Sequence, residues 1–216
     1  MKDLTLKHDI LIFDLDGTLS DPKEGIVKSF NYALTHFGLS ALPEQEITSY
    51  IGPPLDKTFI ALTGNHDPQF IADLVARYRE RYADIGYSEN RLYDGVKDTL
   101  LALHNQKIRM GICTSKRADF ARQILTLFGL DSLFEFINGG DVGIEKWQQL
   151  QDLRQRATIS QHSLMIGDRA VDLTAAHKNG LQSAGVLWGY GSSKELETEH
   201  PAYLFDTPAQ WLQLVQ

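Results

Sequence analysis

The chain has 216 residues, of which 43% are hydrophobic and 23% charged, a balance that argues against a disordered protein. Its 28 acidic residues outnumber 21 basic ones, and the net charge of −7 disfavours binding to nucleic acid, whose backbone attracts basic surfaces. Cys113 is the only cysteine, which excludes an intramolecular disulfide. The sequence shows no signal-peptide pattern and no apolar run long enough for a membrane span, so we expect a cytoplasmic protein.

Short apolar segments predict the strands of a buried sheet. The first strand is predicted over residues 10–15 and ends at carboxylates. The others are predicted over residues 108–113, 134–138, 163–166 and 183–187. Helical patterns separate them, for instance over residues 117–128 and 170–179, each followed by a glycine. This alternation predicts an α/β fold, a doubly wound parallel sheet covered by helices on both faces.

Between residues 20 and about 92 the pattern changes to helices alone. Asp21, Pro22 and Glu24 predict the start of a helix, as N-cap, first-turn proline and capping-box residue. A second helix is predicted over residues 68–85. Its apolar stripe consists of Ile71, Leu74, Val75, Tyr78, Tyr82 and Ile85. A helical module, residues 20–91, therefore interrupts a core domain formed by residues 1–19 and 92–216.

Three predicted strands end in polar residues of a particular kind. These residues are Asp14, Asp16 and Gly17 after the first strand, Thr114, Ser115 and Lys116 after the second, and Asp168 and Asp172 after the fourth. Each group alone has a structural explanation as a turn or a helix cap. Together they favour a site, because the carboxyl ends of parallel strands line the ligand crevice of such a sheet. Clustered carboxylates repel one another without a cation, and a few oxygen ligands suit Mg²⁺ and phosphate substrates.

These motifs resemble those of the haloacid dehalogenase-like superfamily of phosphohydrolases, over almost the whole chain. The resemblance rests on Asp14-Leu15-Asp16-Gly17-Thr18 after an apolar strand, on residues 114–116, and on the aspartate pair at residues 168 and 172. It implies a Rossmann-like core with an inserted all-helical cap of the C1 type. Residues 51–54, 114–116 and 187–191 look closest to the phosphoglycolate phosphatase-like and 5′-nucleotidase-like branch.

The resemblance implies a Mg²⁺-dependent phosphatase that forms an aspartyl-phosphate. Asp14 would be the nucleophile, and Asp16 would protonate the leaving oxygen and then activate water. Mg²⁺ would be held by Asp14, Asp168 and the backbone carbonyl of Asp16. Asp172 would either join these ligands or brace the catalytic lysine.

The resemblance also implies a catalytic lysine and groups that bind the phosphate and the leaving group. Lys146 fits the place of the lysine, although the proline or longer loop found in many relatives is missing, and Lys116 is the substitute. Phosphate oxygens would be bound by Thr114, Ser115, Lys116 and Gly17. The cap sets the substrate, and its candidate leaving-group contacts are Glu24, Lys28, Lys57 and Arg79.

The sequence leaves two alternative functions open. A sugar-phosphate mutase of the same superfamily keeps both aspartates. A receiver-like signalling module, from a different class, also combines a phospho-accepting aspartate, a hydroxyl, a lysine and Mg²⁺, but its acceptor follows the third strand. We expect a small phosphorylated metabolite as partner, no nucleic acid or membrane, and a monomer or weak homodimer.

Overall fold

A sheet of six parallel strands lies at the centre of the protein; the structure, a computed structural model, describes residues 7–215. Residues 1–6 and 216 of the predicted core domain lie outside the described residues. In chain order the strands are β1 (Leu11–Phe13), β2 (Ser20–Asp21), β3 (Arg91–Leu92), β4 (Met110–Thr114), β5 (Phe136–Gly139), β6 (Leu164–Gly167), β7 (Gln182–Val186) and β8 (Tyr203–Phe205). The sheet order is β5-β4-β1-β6-β7-β8, and every neighbouring pair is parallel, which confirms the predicted α/β class.

Helices flank the sheet and form the insert. In chain order they are α1 (Lys23–His36), α2 (Glu44–Thr48), α3 (Leu55–Thr63), α4 (Pro68–Asp84), α5 (Val96–Asn105), α6 (Ala118–Phe128), α7 (Lys146–Gln155), α8 (Ala170–Lys178) and α9 (Ser193–Thr198). Short 3₁₀ helices cover Gly86–Ser88, Asp131–Leu133 and Pro208–Val215. None of the helices within residues 7–215 is long and apolar enough to cross a membrane.

Both faces of the sheet are buried, which explains why its strands are continuously apolar in sequence. Successive side chains of a strand point to opposite faces. Leu11 and Phe13 therefore pack with α5, α6 and the C-terminal 3₁₀ helix, whereas Ile10 and Ile12 pack with α7 and α8. The two apolar cores hold β1 rigidly in the middle of the sheet, so its C-terminal end is a fixed point for a functional residue.

The insert is a helical layer with an apolar core of its own. Phe30, Phe59, Leu74 and Tyr78 are among its buried residues. The insert joins the core through β2 and β3, which pair as an antiparallel ribbon. The predicted boundaries near residues 20 and 92 fall on this ribbon. The sequence did not predict the ribbon, because strands of two residues are too short to show an alternating pattern.

The predicted start of α1 is only partly right. Asp21 accepts a hydrogen bond from the Lys23 backbone N–H at 2.9 Å, as expected of a capping side chain. The capping box is wrong, however, because the Glu24 carboxylate accepts from Lys28 Nζ at 2.6 Å. The two side chains lie one helical turn apart, where opposite charges attract.

One other expectation about the insert is wrong, and two of its helices were not predicted. Ile85 does not belong to the buried stripe of α4, because the helix ends at Asp84 and Ile85 is 46% exposed. The sequence did not predict α2 and α3, which have five and nine residues. Such short helices contain too few turns to display a repeating apolar face.

Candidate active site

Asp14 stands directly after β1, at the edge of the sheet that faces the insert. Its backbone N–H donates to the Ile166 carbonyl at 2.9 Å, which extends the pairing of β1 with β6 by one residue. The residue is only 3% exposed, and it lines a pocket between the core and the insert. The sheet thus fixes the backbone of Asp14 while its carboxylate reaches the pocket.

Three buried carboxylates meet at this point. Oxygen atoms of Asp14, Asp168 and Asp172 all lie within 4.8 Å of one another. Burial, and the charges of the other two aspartates, raise the pKa of Asp168 well above its usual value. Burial is also the main cause that raises the pKa of Asp172. A cation at this cluster would offset the repulsion, and oxygen ligands are those that hard divalent ions prefer.

Asp168 is held in place from two sides. Thr18 Oγ1 donates to Oδ1 at 3.1 Å, and the Tyr190 backbone N–H donates to Oδ2 at 2.8 Å. Gly17 and Gly189 must be glycines here, since an added Cβ would stand 2.1 Å and 2.3 Å from atoms of the Asp168 side chain. The predicted phosphate-binding Gly17 therefore packs against Asp168. The sequence assigned no role to Thr18 or Tyr190, although both lie in motifs that it singled out.

Lys146 is the lysine that the structure brings to Asp14. It is the first residue of α7, its side chain is fully buried, and its Nζ lies 3.0 Å from Asp14 Oδ1. Lys146 Nζ also donates to Asp172, which in turn accepts from the Arg169 backbone N–H. Burial by itself lowers the pKa of an ammonium group, but Asp14 and Asp172 outweigh it and raise the pKa of Lys146. Lys146 therefore carries its charge beside Asp14 at neutral pH.

Asp16 points away from the three carboxylates. Its Oδ2 pairs with Lys116 Nζ at 2.8 Å, and Lys116 Nζ also donates to the hydroxyl of Tyr82 at 2.7 Å. Burial raises the pKa of Asp16, and the charge of Lys116 opposes this effect. An acidic group whose pKa is raised towards neutrality can exchange protons during a reaction. Lys116 thus contacts Asp16, whereas Lys146 contacts Asp14.

Polar atoms without a hydrogen-bond partner cluster in this site. They include Asp16 Oδ1 and Ser115 Oγ, both buried. Thr114, at the end of β4, is 1% exposed and lines the same pocket as Ser115. Buried polar groups in native proteins are nearly always paired, so a concentration of unpaired ones marks a place for a ligand.

The insert closes the pocket with a mainly apolar wall. The aromatic side chains that line it are Phe30, Tyr50, Tyr78 and Tyr82 of the insert and Phe120 of α6 in the core. The cavity volume is about 70 Å³. At the ~10–15 Å³ that one water molecule requires, this is room for roughly five waters. With the insert in this position, the pocket admits only a small ligand.

Ion pairs connect the insert to the core around the pocket. Arg79 of α4 donates to Asp141, and Lys57 of α3 pairs with Glu145. Arg169 of the core donates to the Ile51 carbonyl of the insert. The sequence could not predict these contacts, because each joins residues far apart in the chain.

The cap residues predicted to contact the leaving group separate into two groups. Arg79 lines the pocket, and Lys57 does not line it but pairs with Glu145 of the core. Glu24 and Lys28 do not line the pocket; they pair with each other, and Lys28 also pairs with Glu89. The prediction that Glu24 contacts the substrate therefore has no support in the geometry, since local charge attraction on α1 directs its carboxylate elsewhere.

Comparisons with known proteins agree with this architecture. A family model described as haloacid dehalogenase-like hydrolase matches residues 11–186. The chain is 36% identical over 207 residues to a 5′-nucleotidase of Pseudomonas aeruginosa, covering 94% of this chain and 93% of that protein. It is 30% identical over 213 residues to a phosphoglycolate phosphatase of Colwellia psychrerythraea, covering 93% and 94%. The solved structure of protein tyrosine kinase A (PtkA) from Mycobacterium tuberculosis superimposes with a TM-score of 0.79 at 32% identity, covering 96% of this chain and 98% of that one.

Proposed function

The chain belongs to the haloacid dehalogenase-like hydrolase family and is a phosphatase, and we propose that it hydrolyses a small phosphate monoester with Mg²⁺ through an aspartyl-phosphate on Asp14. The observation that carries the proposal is the position of Asp14. It stands at the end of the central strand, beside the buried charge of Lys146, and it lines the same pocket as Asp16. A receiver-like module, which is not a hydrolase, does not agree with this family membership.

The proposed reaction has two steps. An oxygen of Asp14 attacks phosphorus, a new O–P bond forms, and the bond from phosphorus to the leaving oxygen breaks as Asp16 donates a proton to that oxygen. In the second step Asp16 takes a proton from water, and the water oxygen attacks phosphorus. The bond to Asp14 then breaks, inorganic phosphate leaves, and both aspartates return to their starting states.

Charge on the phosphoryl group would be balanced from several sides. Asp14, Asp168 and the backbone carbonyl of Asp16 would hold Mg²⁺, with Asp172 as a further ligand or as the brace of Lys146. Bound there, the ion would neutralise charge on the phosphoryl oxygens. Lys146 adds a fixed positive charge at Asp14, and the hydroxyls of Thr114 and Ser115 would donate to the phosphate oxygens.

We expect Mg²⁺ to raise the melting temperature of the protein more at pH 7.5 than at pH 5.5. Because burial raises the pKa of Asp168 and Asp172 in the folded protein, the metal-free fold loses stability as pH rises from the unfolded value of ~3.9 through the raised values. The ion binds the ionised carboxylates, so its stabilising effect grows over the same pH range. At ~100 times the Kd the gain is ~2.7 kcal/mol, or about 5–10 °C for a chain of this length.

Thermal unfolding with and without MgCl₂ measures this effect without any assay of activity. Asp168→Asn should abolish the shift, and Asp206→Asn, which alters an exposed carboxylate of the core, should retain it. An equal shift in Asp168→Asn, or a larger shift at pH 5.5, would contradict the proposed ion site.

The substrate we propose is a small phosphorylated acid. The closed pocket has room for a small leaving group, and Arg79 offers a cation at its wall. A nucleoside monophosphate would require the insert to move outwards, and the relative named 5′-nucleotidase makes it the second substrate to test. We also propose that the protein acts in the cytoplasm, as a monomer or weak homodimer, without a nucleic-acid or membrane partner.

A screen with Mg²⁺ over phosphoglycolate, nucleoside monophosphates and sugar phosphates tests the substrate class. Release of inorganic phosphate in step with loss of the ester supports hydrolysis. Transfer of the phosphoryl group between sugar hydroxyls would instead indicate a mutase. Transfer from ATP to a tyrosine peptide would indicate the activity for which the structural neighbour PtkA is named.

Arg79 provides a sharper test of the substrate class. If it binds a carboxylate of the leaving group, Arg79→Met should raise the KM for phosphoglycolate about 10- to 100-fold, the effect of losing one charge-assisted bond. The KM for ethyl phosphate, which has no carboxylate, should change little. Steady-state kinetics with these two esters give the comparison directly.

Asp141→Asn is the matched control, because it breaks the same ion pair from the other side. It frees Arg79 for the substrate, so the KM for phosphoglycolate should stay the same or fall. If both variants raise the KM alike, Arg79 serves only to connect the insert to the core.

A further inference from the structure

Lys116 lies at the junction of the core, the insert and Asp16. Its ammonium Nζ is 2.8 Å from Asp16 Oδ2 and donates to the Tyr82 hydroxyl at 2.7 Å. The same Nζ stands 4.5 Å from the centre of the Tyr82 ring, a distance at which a cation is attracted to the aromatic face. Only 7% of the Lys116 side chain is exposed. One buried ammonium group thus connects a residue of the insert with a residue of the core.

Tyr82 is a rigid support for this ammonium. It belongs to α4 and is 1% exposed. Its ring stacks on Tyr78 with 5.4 Å between centroids and meets the edge of Phe120 at 5.2 Å. Packing on two sides fixes the ring, and the ring fixes the position of its hydroxyl. The position of Lys116 Nζ is therefore set by the insert as well as by the core.

The two oxygens of Asp16 have different surroundings. Oδ2 is held by Lys116, whereas Oδ1 is buried without a hydrogen-bond partner, and the residue lines the pocket. Holding one oxygen restricts rotation of the carboxyl group. The other oxygen is then available to exchange a proton with a ligand in the pocket.

We propose that Lys116 is a positioning residue, which orients Asp16 for proton transfer to the leaving oxygen, and that Tyr82 makes this orientation depend on the closed position of the insert. The inference rests on the role of Asp16 in the proposed function. Tyr82 and Lys116 would thus couple closure of the insert to the orientation of the Asp16 carboxyl group. When the site is open and water enters, the Asp16 carboxyl group would then not be oriented for proton transfer.

Two esters of similar size test the proposal, phenyl phosphate and p-nitrophenyl phosphate. Phenolate needs a proton from Asp16 as it leaves, whereas p-nitrophenolate is a much weaker base and needs little help. In a reaction through a covalent intermediate, kcat/KM reports the steps up to formation of that intermediate. Lys116→Met should lower kcat/KM for phenyl phosphate at least tenfold more than for p-nitrophenyl phosphate.

Tyr82→Phe is the second variant, and it keeps the ring while it removes the hydroxyl. It should shift the ratio of the two kcat/KM values in the same direction as Lys116→Met, by about two- to tenfold. If Lys116→Met does not fold, Tyr82→Phe still tests whether the orientation of Asp16 depends on the insert. An unchanged ratio in Tyr82→Phe would overturn the link to the insert.

Control variants remove the same groups elsewhere. Tyr32→Phe removes a hydroxyl of the insert that bonds Glu80 at the surface, and Lys97→Met removes an exposed ammonium that bonds the Phe128 carbonyl. Both should leave the two rate constants unchanged.

The remaining outcomes overturn the positioning role. Equal losses on both esters in Lys116→Met would show that Lys116 binds the phosphoryl group, and no loss on either ester would show a structural role. Failure of the wild-type protein to hydrolyse either ester with Mg²⁺ would instead reject the proposed function, so the two failures are distinguishable.

Discussion

Replacing Asp14 with asparagine should lower phosphatase turnover by at least ~10⁴-fold, the largest effect we expect of a single substitution. Loss of the nucleophile from a hydrolase that works through a covalent intermediate costs up to ~10⁶-fold. Asparagine keeps the shape of Asp14 but is neutral and a poor nucleophile. The fold should survive, because the substitution also removes one of three repelling buried carboxylates. Phosphate release with p-nitrophenyl phosphate measures the loss.

A covalent label distinguishes a lost nucleophile from a damaged site. Wild-type protein quenched in acid during turnover of a radioactive phosphate ester should retain label that hydroxylamine releases, and Asp14→Asn should retain none. Asp94→Asn, an exposed carboxylate of the core, is the control and should behave like the wild type. Activity of Asp14→Asn within tenfold of the wild type would reject the mechanism.

Replacing Asp16 with alanine should lower turnover of phenyl phosphate by ~10²–10⁴-fold, the usual contribution of general acid–base catalysis. The loss of kcat/KM should be smaller with p-nitrophenyl phosphate, whose leaving group needs little protonation. Ion binding should persist, because the Asp16 carboxylate pairs with Lys116 and lies outside the cluster of Asp14, Asp168 and Asp172.

The Mg²⁺-dependent rise in melting temperature is therefore the internal control for Asp16→Ala. A normal rise together with a large kinetic loss separates proton transfer from ion binding. A loss below tenfold with phenyl phosphate would contradict the role of Asp16 as acid/base.

The insert contributes to the surroundings of the Asp16 carboxyl group. Burial raises the pKa of Asp16, while Lys116 opposes the rise. The burial depends in part on the apolar wall that the insert supplies, since the same carboxylate at an open sheet edge would be surrounded by water. We therefore expect the insert to influence the acidity of Asp16 as well as the choice of substrate.

The sequence by itself predicted the layers of the protein and the chemistry at the strand ends. Apolar runs of a few residues were sufficient for five of the six strands, because burial on both faces leaves no polar alternation to obscure them. The edge strand β8 was not predicted, since only one of its three residues is fully buried. Asp14, Thr114 and Asp168 stand at or just after ends of strands, so the rule that such ends converge was enough to place them near one another. Lys146 opens α7 after a loop, and its assignment came from the family resemblance. The capping residues before α1 and the apolar stripe of α4 were sufficient to predict the helical nature of the insert.

Only the tertiary structure decided which charged groups face one another. Lys116 and Lys146 both follow strands and both carry a mobile side chain, yet Lys146 reaches Asp14 while Lys116 reaches Asp16 and Tyr82. The pairs of Arg79 with Asp141 and of Lys57 with Glu145 likewise join residues far apart in the chain. A periodic pattern reports which face of an element is buried. The partner of a long flexible side chain depends instead on distances of a few ångströms between elements, which no local pattern contains.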